Sequence, residues 1–347
     1  MINELDFDDP SMNKFVDETG HIISVSAEKF AKSSHDKNCR NKCSKNRSKI
    51  MITPAEVEKG YVITQSDTCY ILTGDVDYQP TDSSIPAIRI AANNINLNLG
   101  AHRINGNMMG DRAIYVSSLS DAALYNVTIE NGTIMNFISF GISGSVVLHV
   151  IINKVTIQDI LPLEPLGATQ IIAGIFIQVF GHEPGSLRVN NCKIFNVSAK
   201  GSGGISGIAS FRYPIKIKNT IISNIISMGT GPTFGITYSG TNNIQTKFRI
   251  VNTIVNNITS NGNARGIDLD GANPGIYDLK ITNSEISNIS STSETAIVGG
   301  IRATNIYNFK LNNNIVSNLT SGASHFTSPV GYSFISSRGV FNNCSQS

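Results

Sequence analysis

Two carboxylates and a line of cations are the residues of this chain best placed to do chemistry. The carboxylates lie in Arg265-Gly266-Ile267-Asp268-Leu269-Asp270-Gly271. Side chains alternate along an extended strand, so with Ile267 and Leu269 inward, Asp268 and Asp270 share the outer face about 7 Å apart. That separation suits an inverting glycosidase, in which one carboxyl protonates the leaving oxygen while the other activates a water. Arg302, in Ile301-Arg302-Ala303-Thr304, is expected to fall beside Asp268 and to form a salt bridge with it. A lyase would instead need calcium ligands and a base near the substrate carbon. Asp268 and Asp270 offer two ligands where calcium wants six or more oxygens. Calcium is therefore expected only if the protein is a lyase, and otherwise no cofactor.

The cations are Arg188, Lys216, Arg249, Lys280 and Lys310. Each stands between two large apolar residues, as in Ile215-Lys216-Ile217, so each is expected to point outward. Stacked coils would line them up roughly 5 Å apart, which fits a linear polyanion. An acidic polysaccharide is the expected partner, and a nucleic-acid backbone is the less favoured one. The competing reading is an ordinary wet strand face whose cations are neutralised by acids such as Glu285. Two further sets are weaker. His35, Cys39 and Cys43 give three of the four ligands that structural zinc takes, so no metal site is expected. His182, in Gly181-His182-Glu183-Pro184-Gly185, is a loop-tip residue with no partner in register.

A repeated frame must position these groups. It starts at Val127, Val150, Leu187, Ile215, Phe248, Leu279 and Phe309, at intervals of 23 to 37 residues. The first, third, eighth and eleventh residues are large and apolar; Ile215, Ile217, Ile222 and Ile225 show them in the fourth copy. The fifth residue is Asn except at Lys154, and the tenth is Asn except at Asp159. Alternation at the start marks a strand buried on one face, and richness in Ile, Val, Thr and Asn argues against helix. A Gly-Ile pair precedes each later frame, as in Gly207-Ile208, Gly235-Ile236 and Gly266-Ile267. Asn tolerates the left-handed backbone that sharp corners need, and its amide can bond its equivalent one coil away. A fixed register with loose spacing means a solenoid. The expected fold is all-β, a single-stranded right-handed parallel β-helix with four apolar columns filling its bore and two buried Asn ladders. Asn126, Asn131, Asn196, Asn257, Asn288 and Asn318 fit the glycosylation pattern, but they are read as corner residues turned inward.

The chain has 347 residues, a formal charge of +2 and only 15% charged residues, so bulk charge implies no partner. Residues 1–50 are expected to form a disordered basic tail, 51–86 an N-terminal cap, and 87–347 the β-helix. The acidic start and the lack of an 18-residue apolar run imply no signal peptide and no membrane span. Cytoplasmic synthesis follows, compatible with a virion component. Five scattered cysteines suit a reducing compartment. An uncovered C-terminal edge would favour homo-oligomers.

The runs Gly60-Tyr61-Val62-Ile63-Thr64, Ile88-Arg89-Ile90-Ala91-Ala92-Asn93-Asn94-Ile95-Asn96-Leu97 and Val127-Thr128-Ile129-Glu130-Asn131-Gly132-Thr133-Ile134 resemble β-helix repeat proteins of the pectin-lyase-like superfamily. More narrowly, they are similar to uncharacterised members found in giant viruses and in bacteria that live in amoebae. The resemblance implies the fold over about residues 55–345. It leaves the activity open, because the superfamily holds lyases, glycosidases, adhesins and tailspikes. The Gly266-to-Asp270 run is faintly similar to the Gly-Ile-Asp-x-Asp segment of polygalacturonase-type enzymes, without their further Asp-Asp, His-Gly or Arg-x-Lys pairs. The leading expectation is thus a non-enzymatic binding or structural protein contacting acidic polysaccharide. The alternative is a polysaccharide lyase or glycoside hydrolase acting on a uronate-containing glycan.

Overall fold

The computed structural model describes residues 47–346 except 121, 179–184, 213, 241–245, 272–275 and 323–329, together with a short antiparallel pair, Phe15–Val16 and Ile22–Ile23. The rest of the expected tail, with His35, Cys39 and Cys43, lies outside the described residues, as does His182. From Ser48 onward the chain is a right-handed parallel β-helix, the hand that parallel crossovers almost always take.

Columns follow the frame. The third residues stack as Ile129, Ile152, Val189, Ile217, Ile250, Ile281 and Leu311, each the register partner of the next. The eighth residues stack as Ile134, Ile157, Ile194, Ile222, Val255, Ile286 and Val316. Both columns are buried throughout. A third wall is the Gly-Ile sheet, with Ile142, Ile175, Ile208, Ile236, Ile267 and Ile301 in register. Burial of these side chains is worth about 1.5–3 kcal/mol each, which is what holds the coil against chain entropy.

The columns begin earlier than position 87. Strand Ser48–Ile52, partly inside the expected tail, pairs with Thr68–Leu72, and Tyr70 continues through Leu97 into Ile129. Residues expected to cap the solenoid therefore also supply a coil of it. Below them sits one helical turn, Pro54–Val57, with Pro at the position where a missing N–H costs nothing and Glu56 accepting from the Thr53 backbone at 2.7 Å. Ile52 and Val57 close the bore there and are fully buried. No helix among the described residues is long and apolar enough to cross a membrane.

Asn corners form two hydrogen-bonded ladders. Asn219 Nδ2 donates to Asn191 Oδ1 and Asn252 Nδ2 donates to Asn219 Oδ1, both at 3.1 Å. Asn224, Asn257, Asn288 and Asn318 repeat the pattern in the second column at 3.0–3.1 Å. The corner residues sit at positive φ, near +50 to +60. The two exceptions are accommodated locally. Asp159 accepts from Asn196, and above Lys154 the Asn191 amide steps sideways to Asn153 Oδ1. One expectation is corrected: the ladders line the corners rather than the bore, so Asn219 is buried while Asn283, Asn288, Asn313 and Asn318 are exposed. Hydrogen bonding, not burial, is what occupies those amides. Replacing Asn219 by Ala, which disfavours the left-handed region and breaks both amide bonds, is expected to cost about 2–3 kcal/mol in urea unfolding. Asn219→Gly, which keeps the backbone freedom, should cost less.

Cys192 and Cys344 are free thiols. Cys192 takes the column place of Thr220 and Thr253, and its thiol points, like their hydroxyls, to the carbonyl two residues back. Burial pushes it up to about 12, so it is an inert core group.

Candidate functional site

Two outward faces carry the charged residues. The first is built by the initial strand of each frame. Its apolar first and third positions point into the bore, which turns position two outward. The five cations are direct register partners: Arg188 with Lys216, Lys216 with Arg249, Arg249 with Lys280, and Lys280 with Lys310. Within the segments 186–190, 214–218, 247–251, 278–282 and 308–312, seven residues are basic (Lys218 and Lys247 join the five) and one, Asp278, is acidic.

Among the described residues no ion pair holds Arg188, Lys216, Lys280 or Lys310; only Arg249 has one, with Asp278. Glu285, which the competing reading has neutralise the stripe, accepts a hydrogen bond from Ser287 Oγ at 3.0 Å. The pairing that matters was missed because Asp278 lies just outside the frame, level with Lys247 on the coil below. The uncompensated charge is felt at Lys216, whose pKa is lowered by burial first and then by Arg188, Arg249 and Lys247.

The second face belongs to the Gly-Ile sheet. Its strands can approach the opposite wall because a side chain at the glycine would collide. A Cβ on Gly266 would stand 2.2 Å from Ile286 Cγ2 and 2.9 Å from the Gly300 carbonyl oxygen. On strand Ala264–Asp270 this leaves Arg265, Asp268 and Asp270 outward, and Arg302 is the register partner of Asp268 on the next coil. Arg302 Nε donates to Asp268 Oδ1 at 2.6 Å, and Arg265 Nη1 donates to Asp268 Oδ2 at 3.0 Å. Arg302 also lies 3.6 Å from Asp270 Oδ2, and Thr304 Oγ1 donates to Asp270 Oδ1.

The structure thus brings Asp268, Asp270 and Arg302 together and adds Arg265, which with Arg302 is the cation the sequence offers near the carboxylates for a lyase. Its signal is the i, i+3 spacing across a glycine that the pairing skips. Asp268 and Arg265 have side chains 9% and 8% exposed, against 52% for Asp270. Burial lowers the Arg265 pKa, with Asp268 the chief opposing influence, and among the described residues its Nε has no hydrogen-bond partner. Asp268 is a structural anchor for two guanidiniums, whereas Asp270 is the carboxylate open to solvent. Both Asp268 oxygens are committed, and no cluster of three or more His, Cys, Asp or Glu occurs among the described residues.

Further along the same face an aromatic row runs through Phe140, Phe176 and Phe211, with ring centroids 5.2 and 5.6 Å apart. Arg112 lies over Tyr115 at 4.8 Å.

No protein-family model matches the chain, and no curated protein matches it in sequence. Among solved structures it is similar to the A-module of the Azotobacter vinelandii mannuronan C-5 epimerase AlgE4, with TM-score 0.42, 13% identity and 86% of each chain covered. It is also similar to a hyperthermoactive exopolygalacturonase from Thermotoga maritima, with TM-score 0.31, 8% identity, and 91% of this chain and 86% of that one covered.

Proposed function

We propose that this protein is a rigid β-helical rod that binds an acidic polysaccharide along the column Arg188, Lys216, Arg249, Lys280 and Lys310. The carrying observation is the register, which aligns five outward cations with one acid among them. Like charges opposed on adjacent strands are unfavourable, so a stripe of this kind is best accounted for by an anionic ligand that spans it. Regular spacing of about 4.8 Å between coils suits a chain with one anionic group per monomer.

The test is binding of a polyuronate to the wild type and to the triple variant Lys216→Ser, Arg249→Ser, Lys280→Ser. At about 0.5–1 kcal/mol per screened surface charge, the triple variant should bind about 10- to 100-fold more weakly, with a flatter salt dependence. Equal binding by both proteins removes the proposal. Purified virus particles or cell surfaces probed for the protein would show where such a rod is displayed.

A second reading, a lyase or glycosidase acting on a uronate-containing glycan, is favoured by one observation. Arg302 stands between Asp268 and Asp270 on an outward face, where a cation and an accessible carboxylate could meet a uronate. Incubation with pectate or alginate, followed by ultraviolet absorbance of unsaturated products and by reducing ends, separates catalysis from binding.

A further inference from the structure

Arg249 differs from its neighbours in the column. Its guanidinium donates to two backbone carbonyls, of Phe248 at 2.8 Å and of Asp278 at 3.1 Å, and also to the Asp278 carboxylate. Both side chains remain partly exposed, 32% for Arg249 and 40% for Asp278, so the pair sits on the surface that a ligand would cover. Asp278 is also the register partner of Lys247, so it lies beside two cations, Lys247 and Arg249, of the preceding coil. The four other cations of the column carry no such counter-ion among the described residues.

We propose that Arg249 is a carboxylate-binding subsite at the centre of the column, and that Asp278 is an internal mimic of the ligand's carboxylate. Asp278 fills the subsite in the free protein and is displaced when a uronate chain seats one carboxylate per coil. This rests on the polyanion reading and deepens it. A planar guanidinium matches a carboxylate through paired N–H donors, so the subsite selects carboxylated sugars, and Asp278 sets how tightly they are held. Displacement of a fixed internal anion lowers apparent affinity by the stability of the pair it breaks, as in any two-state competition. The arrangement also relieves repulsion in the unliganded column, where Lys216 lies between Arg188 and Arg249.

Titration calorimetry with an oligogalacturonate at low salt tests this on the full chain. Asp278→Asn should bind about 2- to 5-fold more tightly than the wild type, the range of a surface ion pair. Asp278→Glu, which keeps the charge, should stay near the wild type. In an Arg249→Gln background the Asp278→Asn gain should vanish. The fully methyl-esterified oligomer should not distinguish wild type from Asp278→Asn. Wild-type binding with no gain in Asp278→Asn, or a gain that survives Arg249→Gln, overturns the inference alone. No binding by any of the proteins overturns the polyanion reading and the inference with it. A melting temperature for each variant shows that the comparison is between folded proteins.

Discussion

Asp268→Ala is expected to lower the unfolding free energy by about 3–5 kcal/mol, because it strands a buried cation. Arg265 is almost fully buried, and among the described residues its only charged partner within hydrogen-bonding distance is Asp268. Removing that carboxylate leaves a guanidinium in a low-dielectric site that already contains one unpartnered N–H. Arg302 is better exposed, so it can turn to water and adds less to the loss. Urea unfolding should show a lower midpoint with an unchanged slope. The double variant Arg265→Met, Asp268→Ala should recover much of the deficit, since an apolar replacement for a buried ion pair is often neutral. If the single variant unfolds like the wild type, the guanidinium is not held in the way described. The outcome also governs any activity assay: a lost activity in an Asp268 variant reports folding as readily as chemistry. Asp270→Asn, on the exposed carboxylate, should leave stability within about 0.5 kcal/mol and is the cleaner probe of catalysis.

Gly235→Ala should be nearly as damaging, for a steric reason. The new Cβ would stand 2.2 Å from Val255 Cγ1 and 2.6 Å from the Gly266 carbonyl oxygen. A side chain can rotate away, but that oxygen belongs to the next coil's backbone and cannot move without opening the stack. Overpacking of this kind costs about 1–3 kcal/mol, and backbone contact puts this case at the upper end. Gly204→Ala is the matched control. Its Cβ would meet nothing closer than Ile171 Cγ1 at 4.0 Å, so its melting temperature should stay within a degree or two of the wild type, as expected of a substitution below about 0.5 kcal/mol. Equal losses in the two variants would mean that the cost is one of glycine flexibility and not of contact.

The difference between those two glycines was not legible in the sequence, where both precede an Ile-containing strand. What was legible is whatever repeats. Ile217, Ile250 and Ile281 stack because each copy places the same apolar residue at the same step from the same Asn corner. The cation line followed from that register directly, and so did Arg302 beside Asp268. Contacts that run along the axis between non-equivalent positions were hidden. Asp278 reaches Arg249 from one place before the frame, and Arg265 reaches Asp268 across a glycine that the pairing skips. The depth of the Asn columns was misjudged for a related reason: a corner residue at positive φ projects along the coil edge, and the 3.6-versus-2 periodicity of polarity says nothing about corners.

Those corner amides have one more property. In both columns, and also in the bonds from Asn126 to Asn94, Asn131 to Asn98, Asn136 to Asn105 and Asn343 to Asn313, the donor belongs to the later coil and the acceptor to the earlier one. Every carboxamide dipole therefore leans the same way, nitrogen toward the start of the rod and oxygen toward its finish. Rows of hydrogen bonds polarise one another, so the rod is electrically asymmetric end to end, in the same sense as an α-helix. Acidic side chains at the first rungs agree with this polarity. Asp67 receives from Asn94 and Asp77 from Asn105 at 2.9 and 3.0 Å, and a carboxylate that only accepts is what a lowest rung requires.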